Sequence, residues 1–157
     1  MGSQRTVNIK DQIIQNARKL IGTPFRHTGR SSLGIDCGGL IYLAFGRVGF
    51  SIPVNDGSYY SVAWWKHNNA EPRLYNFLKK AGFVFLSDNE LVDKCDIVCF
   101  KLFGENYPAH HCGIMINQTH FIHAKCGWGS KDRKVGFDPL YPSYYKRLDS
   151  IMRYKEF

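Results

Sequence analysis

Apolar residues recur at helical spacing in the first half of the chain and at strand spacing in the second. From Val7 to Ile21, the residues Ile9, Ile13, Ile14, Ala17, Leu20 and Ile21 fall on one stripe, which predicts an amphipathic helix ended by Gly22. Residues 23–32 mix Pro, Gly and polar side chains and read as a loop. Leu40, Ile41, Leu43, Ala44 and Phe45 then mark a second helix, with Asp36 at its N-cap and Cys37 opening it, stopping near Gly46 to Gly49. Ser51 to Val54 is an extended exit. Two further helices are expected in residues 55–81. Asn55 or Asp56 caps the first, which carries Tyr59, Tyr60, Val62, Ala63, Trp64 and Trp65. The second starts at Pro72, with Leu74, Phe77, Leu78 and Ala81 as its apolar side and Gly82 as its stop. The aromatic cluster reads as core or cleft wall.

After Gly82 short apolar runs predict strands over 83–86, 96–101, 111–116 and 119–124, with 135–137 and 151–154 as two more. Helices first and an antiparallel sheet afterwards is an α+β order with segregated layers. A chain of 157 residues is expected to be a single domain, 1–157, with no internal repeat.

Charge and cysteine content narrow the function classes. The net charge is +8, but the basic residues are scattered, so no nucleic-acid partner is expected; the excess suits a polyanionic surface such as an anionic cell wall. The five cysteines, Cys37, Cys95, Cys99, Cys112 and Cys126, are odd in number and lack a framework spacing, which argues against a disulfide scaffold. Cys95, Ile97 and Cys99 would share one strand face, and without a Cys-x-x-Cys knuckle the cysteines beyond Cys37 read as core and not as zinc ligands. No signal peptide and no membrane-spanning run are read, so synthesis in a reducing cytoplasm without stable membrane insertion is expected. Met1-Gly2 with Thr6 matches the N-myristoylation pattern by chance.

The candidate chemistry sits at Cys37. A helix N-terminus favours the thiolate, the first-turn N–H groups could hold an oxyanion, and Gly38 and Gly39 leave room for substrate. A buried structural cysteine is the plain alternative. A cysteine nucleophile needs a base and an orienting partner. Among six histidines, His111 opens a strand after a polar loop and His123 lies on the next strand. The two are an even number of residues apart, so a turn of odd length puts both side chains on one face and a two-residue turn separates them.

These residues carry a resemblance. Gly22-Thr23-Pro24-Phe25-Arg26, Gly34-Ile35-Asp36-Cys37-Gly38-Gly39-Leu40-Ile41, Asp96-Ile97-Val98-Cys99-Phe100, His111-Cys112-Gly113-Ile114-Met115-Ile116 and Phe121-Ile122-His123-Ala124 follow in the order seen in the NlpC-type cell-wall peptidases, a papain-like family of bacterial cysteine peptidases. The resemblance implies a nucleophile helix packed on an antiparallel sheet, Cys37 as nucleophile, His111 as general base and His123 as orienting residue. It also implies hydrolysis of peptidoglycan stem peptides at the amide between D-glutamate and a diamino acid, through a thioester, with no cofactor or metal. Residues 53–82 look like the branch found with phage tails and gene-transfer particles, so tail assembly proteins are expected as further partners and the bacterial cell wall as the place of action.

Two positions depart from the family. Phe25 stands where tyrosine is usual and Gly38 where serine is usual; in the family those hydroxyls, with the aspartate at the Asp36 position, hold the substrate's free amino terminus. Phe25, Asp36 and Gly38 are therefore the candidate substrate-binding positions, with Tyr59, Tyr60 or Thr28 as sources of a replacement hydroxyl. The competing readings are a non-catalytic tail or wall-binding module and an acyltransferase using the same thioester.

Overall fold

The computed structural model describes residues 2–67, 70–129 and 131–157, with side chains from residue 9 onward; Met1 of the myristoylation pattern lies outside the described residues. The amphipathic stripe at the start forms α1 (Gly2–Lys19), whose Ile13, Ile14 and Ala17 are buried. Gly22 follows with a φ of +91°, a left-handed turn that glycine adopts without strain. The loop expected over 23–32 is more ordered than its composition suggests. It carries a small antiparallel hairpin, β1 (Arg30–Ser31) and β2 (Gly34–Ile35), that leads the chain into α2 (Cys37–Gly46).

The helix expected from Asn55 to Trp65 does not form; only Trp64–Lys66 makes a single 3₁₀ turn. Asn55 and Asp56 use their side chains in local turns instead, accepting from the backbone N–H of Gly57 at 2.8 Å and of Ser58 at 3.4 Å. Arg73 then straps this stretch down: its Nη2 donates to Asp56 Oδ1 and to the Ser58 carbonyl, each at 2.7 Å. The second expected helix forms as α3 (Arg73–Lys80), with Leu74, Phe77 and Leu78 buried and Pro72 at its N-cap.

The remaining strands are β3 (Phe83–Phe85), β4 (Ile97–Phe100), β5 (His111–Met115), β6 (His120–Ala124), β7 (Val135–Pro139) and β8 (Leu148–Tyr154). They form one antiparallel six-stranded sheet in the order β3-β8-β4-β5-β6-β7. Every expected strand is present, and the α+β class holds. Cys95 departs from its expected place: it lies in the turn before β4 at a φ of +71°, although its side chain joins Ile97 and Cys99 in the core as read.

Both faces of the sheet are covered. On one, Leu40, Ile41, Ala44 and Phe45 of α2 pack with Ile97, Cys112, Ile114 and Ile122. On the other, Val98, Phe100, Met115 and Phe121 pack with Leu140 and Tyr144. Full burial of a Leu, Ile or Phe contributes about 1.5–3 kcal/mol, and Leu40, Ile41 and Phe45 are each fully buried. The apolar side of α2 therefore holds the N-terminus of that helix, and Cys37 with it, against β5.

Candidate active site

Cys37 is placed by the cap that precedes it. Asp36 is extended (φ −98°, ψ −172°) and its Oδ1 accepts the Gly39 N–H at 2.8 Å, which closes the first turn around the cysteine. Gly39 is required by the same packing: a Cβ there would lie 2.1 Å from the Gly29 carbonyl oxygen. The Cys37 thiol reaches toward the His110 carbonyl at 3.9 Å, and Cys112 and His111 are the neighbouring side chains that act on its ionisation. The Cys112 hydrogen bond, and after it His111, hold the Cys37 thiol well below its ordinary pKa against the opposing effect of burial.

The two histidines share a face because of turn length. Ile114 pairs with Ile122 and Met115 with Phe121, and the Ile116 N–H donates to the His120 carbonyl at 3.0 Å, so residues 117–119 make a three-residue turn. That register sets Gly113 opposite His123 and leaves His111 diagonal to it. His111 Nε2 and His123 Nδ1 are 2.8 Å apart. Gly113 makes the diagonal possible, since a Cβ there would meet Phe121 Cδ2 at 2.6 Å and His123 Cβ at 3.1 Å.

Asp138 on β7 completes the series, with Oδ2 2.8 Å from His123 Nε2 and 3.3 Å from Lys125 Nζ. Partial burial acts to raise the Asp138 pKa, but His123 and Lys125 outweigh it and hold the carboxylate ionised. An ionised Asp138 can only accept, so His123 carries its proton on Nε2 and its Nδ1 is a lone pair. His111 must then donate from Nε2, which leaves its Nδ1 as the lone pair available to Cys37. Burial lowers the His111 pKa, countered by its hydrogen bond to Cys37. A neutral, correctly oriented base thus faces a thiol that ionises readily.

Cys37, His111, His110, Asp36 and Phe25 line one cleft of about 290 Å³, to which Trp64 and Trp65 also contribute. Trp65 stacks on His110 with ring centroids 4.3 Å apart. His120 lies at the start of β6 and His67 on the surface, neither lining this cleft. Cys95, Cys99 and Cys112 are buried, and burial raises the first of these to about 12. Among the described residues no group of three or more His, Cys, Asp or Glu side chains is placed to hold a metal ion, and no helix is long and apolar enough to cross a membrane.

A family model described as "NlpC/P60 family" matches residues 22–153. The chain belongs to the NlpC/P60 family. No curated protein matches it. Among solved structures it is similar to an NlpC/P60 family protein from Bacillus cereus (21% identity, TM-score 0.64, covering 92% of this chain and 40% of that one). It is similar also to a lipoprotein-like NLP/P60 family protein from Staphylococcus aureus (20% identity, TM-score 0.65, covering 94% and 41%). A third is the peptidoglycan hydrolase RipB from Mycobacterium tuberculosis (18% identity, TM-score 0.64, covering 96% and 66%). The chain spans about two fifths of the length of the first two. At these identities the likeness is one of fold, and it agrees with the nucleophile helix on an antiparallel sheet described above.

Within this NlpC/P60 domain each of the two departing positions lies against an arginine, Gly38 against Arg30 and Phe25 against Arg133. Asp36 is not left to the cap alone. Arg30 Nη1 donates to its Oδ1 at 2.6 Å, while the Thr28 N–H (3.0 Å) and the Tyr60 hydroxyl donate to its Oδ2. Of the three expected sources of a hydroxyl, Tyr60 is the one whose hydroxyl donates to Asp36. Thr28 contributes its backbone and turns its hydroxyl to the His27 carbonyl at 2.6 Å, and Tyr59 is exposed. Gly38 is the position over which Arg30 lies, with Arg30 Nη2 3.2 Å from where a Cβ would be. The Phe25 N–H donates to the Arg133 carbonyl at 2.8 Å and its ring lies under the Arg133 guanidinium. Sequence reading missed Arg30, Asp138 and Cys112 as parts of the site. Cys112 adjoins His111 and was within reach of it; Arg30 sits in a loop, and Asp138 needed the β6–β7 register.

Proposed function

We propose that this chain is a cysteine endopeptidase acting on peptidoglycan stem peptides, at the amide between D-glutamate and the diamino acid. The observation that carries this reading is that Cys37, at the N-terminus of α2, shares one cleft with His111, whose Nε2 is 2.8 Å from His123 Nδ1. The substrate class is supported by family membership and by the fold likeness to a peptidoglycan hydrolase.

In the proposed reaction the Cys37 proton passes to His111 Nδ1, either as the sulfur attacks the scissile carbonyl carbon or beforehand as a resting thiolate–imidazolium pair. The Gly39 and Leu40 amides already donate to Asp36, so the Cys37 and Gly38 amides are the assigned donors to the oxyanion. Collapse breaks the C–N bond, His111 returns the proton to the leaving amine, and a thioester remains on Cys37. Water then attacks, His111 takes its proton, and the C–S bond breaks to release the carboxylate and regenerate the thiol. His123 and Asp138 hold the His111 tautomer throughout. Action at the bacterial cell wall, with delivery on a phage-tail or gene-transfer particle, belongs to this reading and rests on the resemblance of residues 53–82.

The test is mass spectrometry of purified peptidoglycan digested with the protein beside Cys37→Ala. New stem fragments ending in D-glutamate, absent with Cys37→Ala, are expected. No fragments from a folded protein would reject the endopeptidase reading, and a product bearing a new amide or ester in place of the carboxylate would make it an acyltransferase.

A further inference from the structure

Asp36 is the acidic side chain nearest the nucleophile in sequence, and it lines the cleft at only 5% exposure. A carboxylate has about four lone-pair sites, and here four donors fill them: Gly39 N–H and Arg30 Nη1 on Oδ1, Thr28 N–H and the Tyr60 hydroxyl on Oδ2. Its charge is met by a guanidinium whose own position is fixed. Arg30 donates also to the Gly29 carbonyl (2.9 Å), the Val54 carbonyl (3.0 Å) and the Tyr60 oxygen (2.9 Å). Of its five donor hydrogens, one on Nη2 remains among the described residues, beside Gly38. The other acid in the cleft lining, Asp56, is likewise held by an arginine, Arg73, at 2.7 Å, while Lys66 and Arg133 add further positive charge to the cleft lining.

We propose that Arg30 makes this cleft select stem peptides whose amino end is blocked as an amide, as in stems still joined to glycan, and reject those with a free α-ammonium. The inference rests on the endopeptidase reading for its substrate. An ammonium brought to this side of Cys37 meets no free carboxylate and faces a guanidinium, and like charges placed together in a desolvated cleft are strongly unfavourable. A neutral acyl carbonyl can accept the remaining Nη2–H. Gly38 belongs to the same device, because a side chain there would press on the guanidinium it leaves room for.

The experiment measures binding of N-acetyl-L-Ala-γ-D-Glu-L-Lys and of the same peptide with a free amino end to Cys37→Ala by calorimetry. The pair is repeated with meso-diaminopimelate in place of lysine. The acetylated peptides are expected to bind at least about tenfold tighter. Adding Arg30→Gln, which frees the Asp36 charge, is expected to narrow or reverse the ratio, and circular dichroism checks that this variant is folded. Equal or tighter binding of the free-amine peptides overturns the inference, as does binding of neither. Because this readout needs no turnover, it separates from the digestion test: cleavage with a free-amine preference sinks the role of Arg30 alone. An acetyl preference without cleavage sinks the endopeptidase reading alone.

Discussion

His123 Nε2 lies 2.8 Å from the Asp138 carboxylate, and this contact decides which ring nitrogens carry protons from β7 back toward Cys37. Because the acid only accepts, His123 presents a lone pair to His111 and His111 presents one to Cys37. Asp138→Asn keeps the shape, but its amide group can donate to His123 and reverse the tautomers. Partners of this kind typically contribute about 10–100-fold. The expected outcome is a fall of that size in kcat on a stem peptide, with KM and the melting temperature little changed because Asp138 is partly exposed. A KM effect with kcat intact would assign Asp138 to substrate contact instead.

Gly113→Ala tests the packing that lets the two histidines meet. The added methyl would sit 2.6 Å from Phe121 Cδ2 and 2.8 Å from the Ile122 carbonyl oxygen, in a strand buried on both faces. Overpacking of this kind costs about 1–3 kcal/mol, and for a domain of this size each kcal/mol lowers the melting temperature by about 2–4 °C. A loss of several degrees is expected by calorimetry, together with a larger loss of activity than stability alone explains, because His123 Cβ is the other atom displaced. An unchanged melting temperature would show that the strand relaxes freely at this point.

What was legible in the sequence was what local pattern determines. The stripe of α1, the cap at Asp36 and the short apolar runs of the strands each depend on neighbours a few residues away, and each is found. The histidine pairing was half legible. The parity of 111 and 123 was readable, but the length of the turn was set by Asn117, whose Oδ1 accepts from the N–H groups of Thr119 and His120, both at 2.8 Å. The stretch 55–65 misled because its apolar spacing suits a helix, while Arg73 and Lys80 from α3 hold its carbonyls and Asp56 in an irregular path. Arg30 and Asp138 looked like ordinary charged residues. Only the β1–β2 hairpin and the β6–β7 register turn them into parts of the site.

Arg73→Ala should release that irregular path. Arg73 Nη2 also contacts the Ser58 hydroxyl at 2.8 Å and the Tyr59 carbonyl at 3.1 Å, so one side chain holds the segment that carries Tyr60 into the cleft. The contacts are partly exposed, and a stability loss of about 1 kcal/mol is expected. The larger effect is on substrate binding: KM should rise while kcat changes less, and limited proteolysis should find new cuts between residues 56 and 66. A variant with unchanged KM and the same protease resistance would mean that α3 is not what orders this wall.

Cys112 should govern how far into acid Cys37 stays reactive. Its hydrogen bond is the leading reason that the Cys37 pKa lies below that of an ordinary thiol, ahead of His111. Only the thiolate alkylates, so a lowered pKa keeps Cys37 reactive as pH falls through the range where an unperturbed thiol is protonated. Cys95, Cys99 and Cys112 are raised by burial or by Cys37 itself and should stay silent. Cys112→Ala removes the donor, so the Cys37 pKa rises and its alkylation profile moves to higher pH. The rate should drop near pH 6 and approach the wild-type value near pH 9. Cys112→Ser restores a donor of similar size and should return the profile most of the way. Iodoacetamide labelling across pH, read by peptide mass spectrometry, checks all three proteins. If Cys112→Ala leaves the profile where it was, the low Cys37 pKa comes from His111 and the α2 N-terminus without help from Cys112.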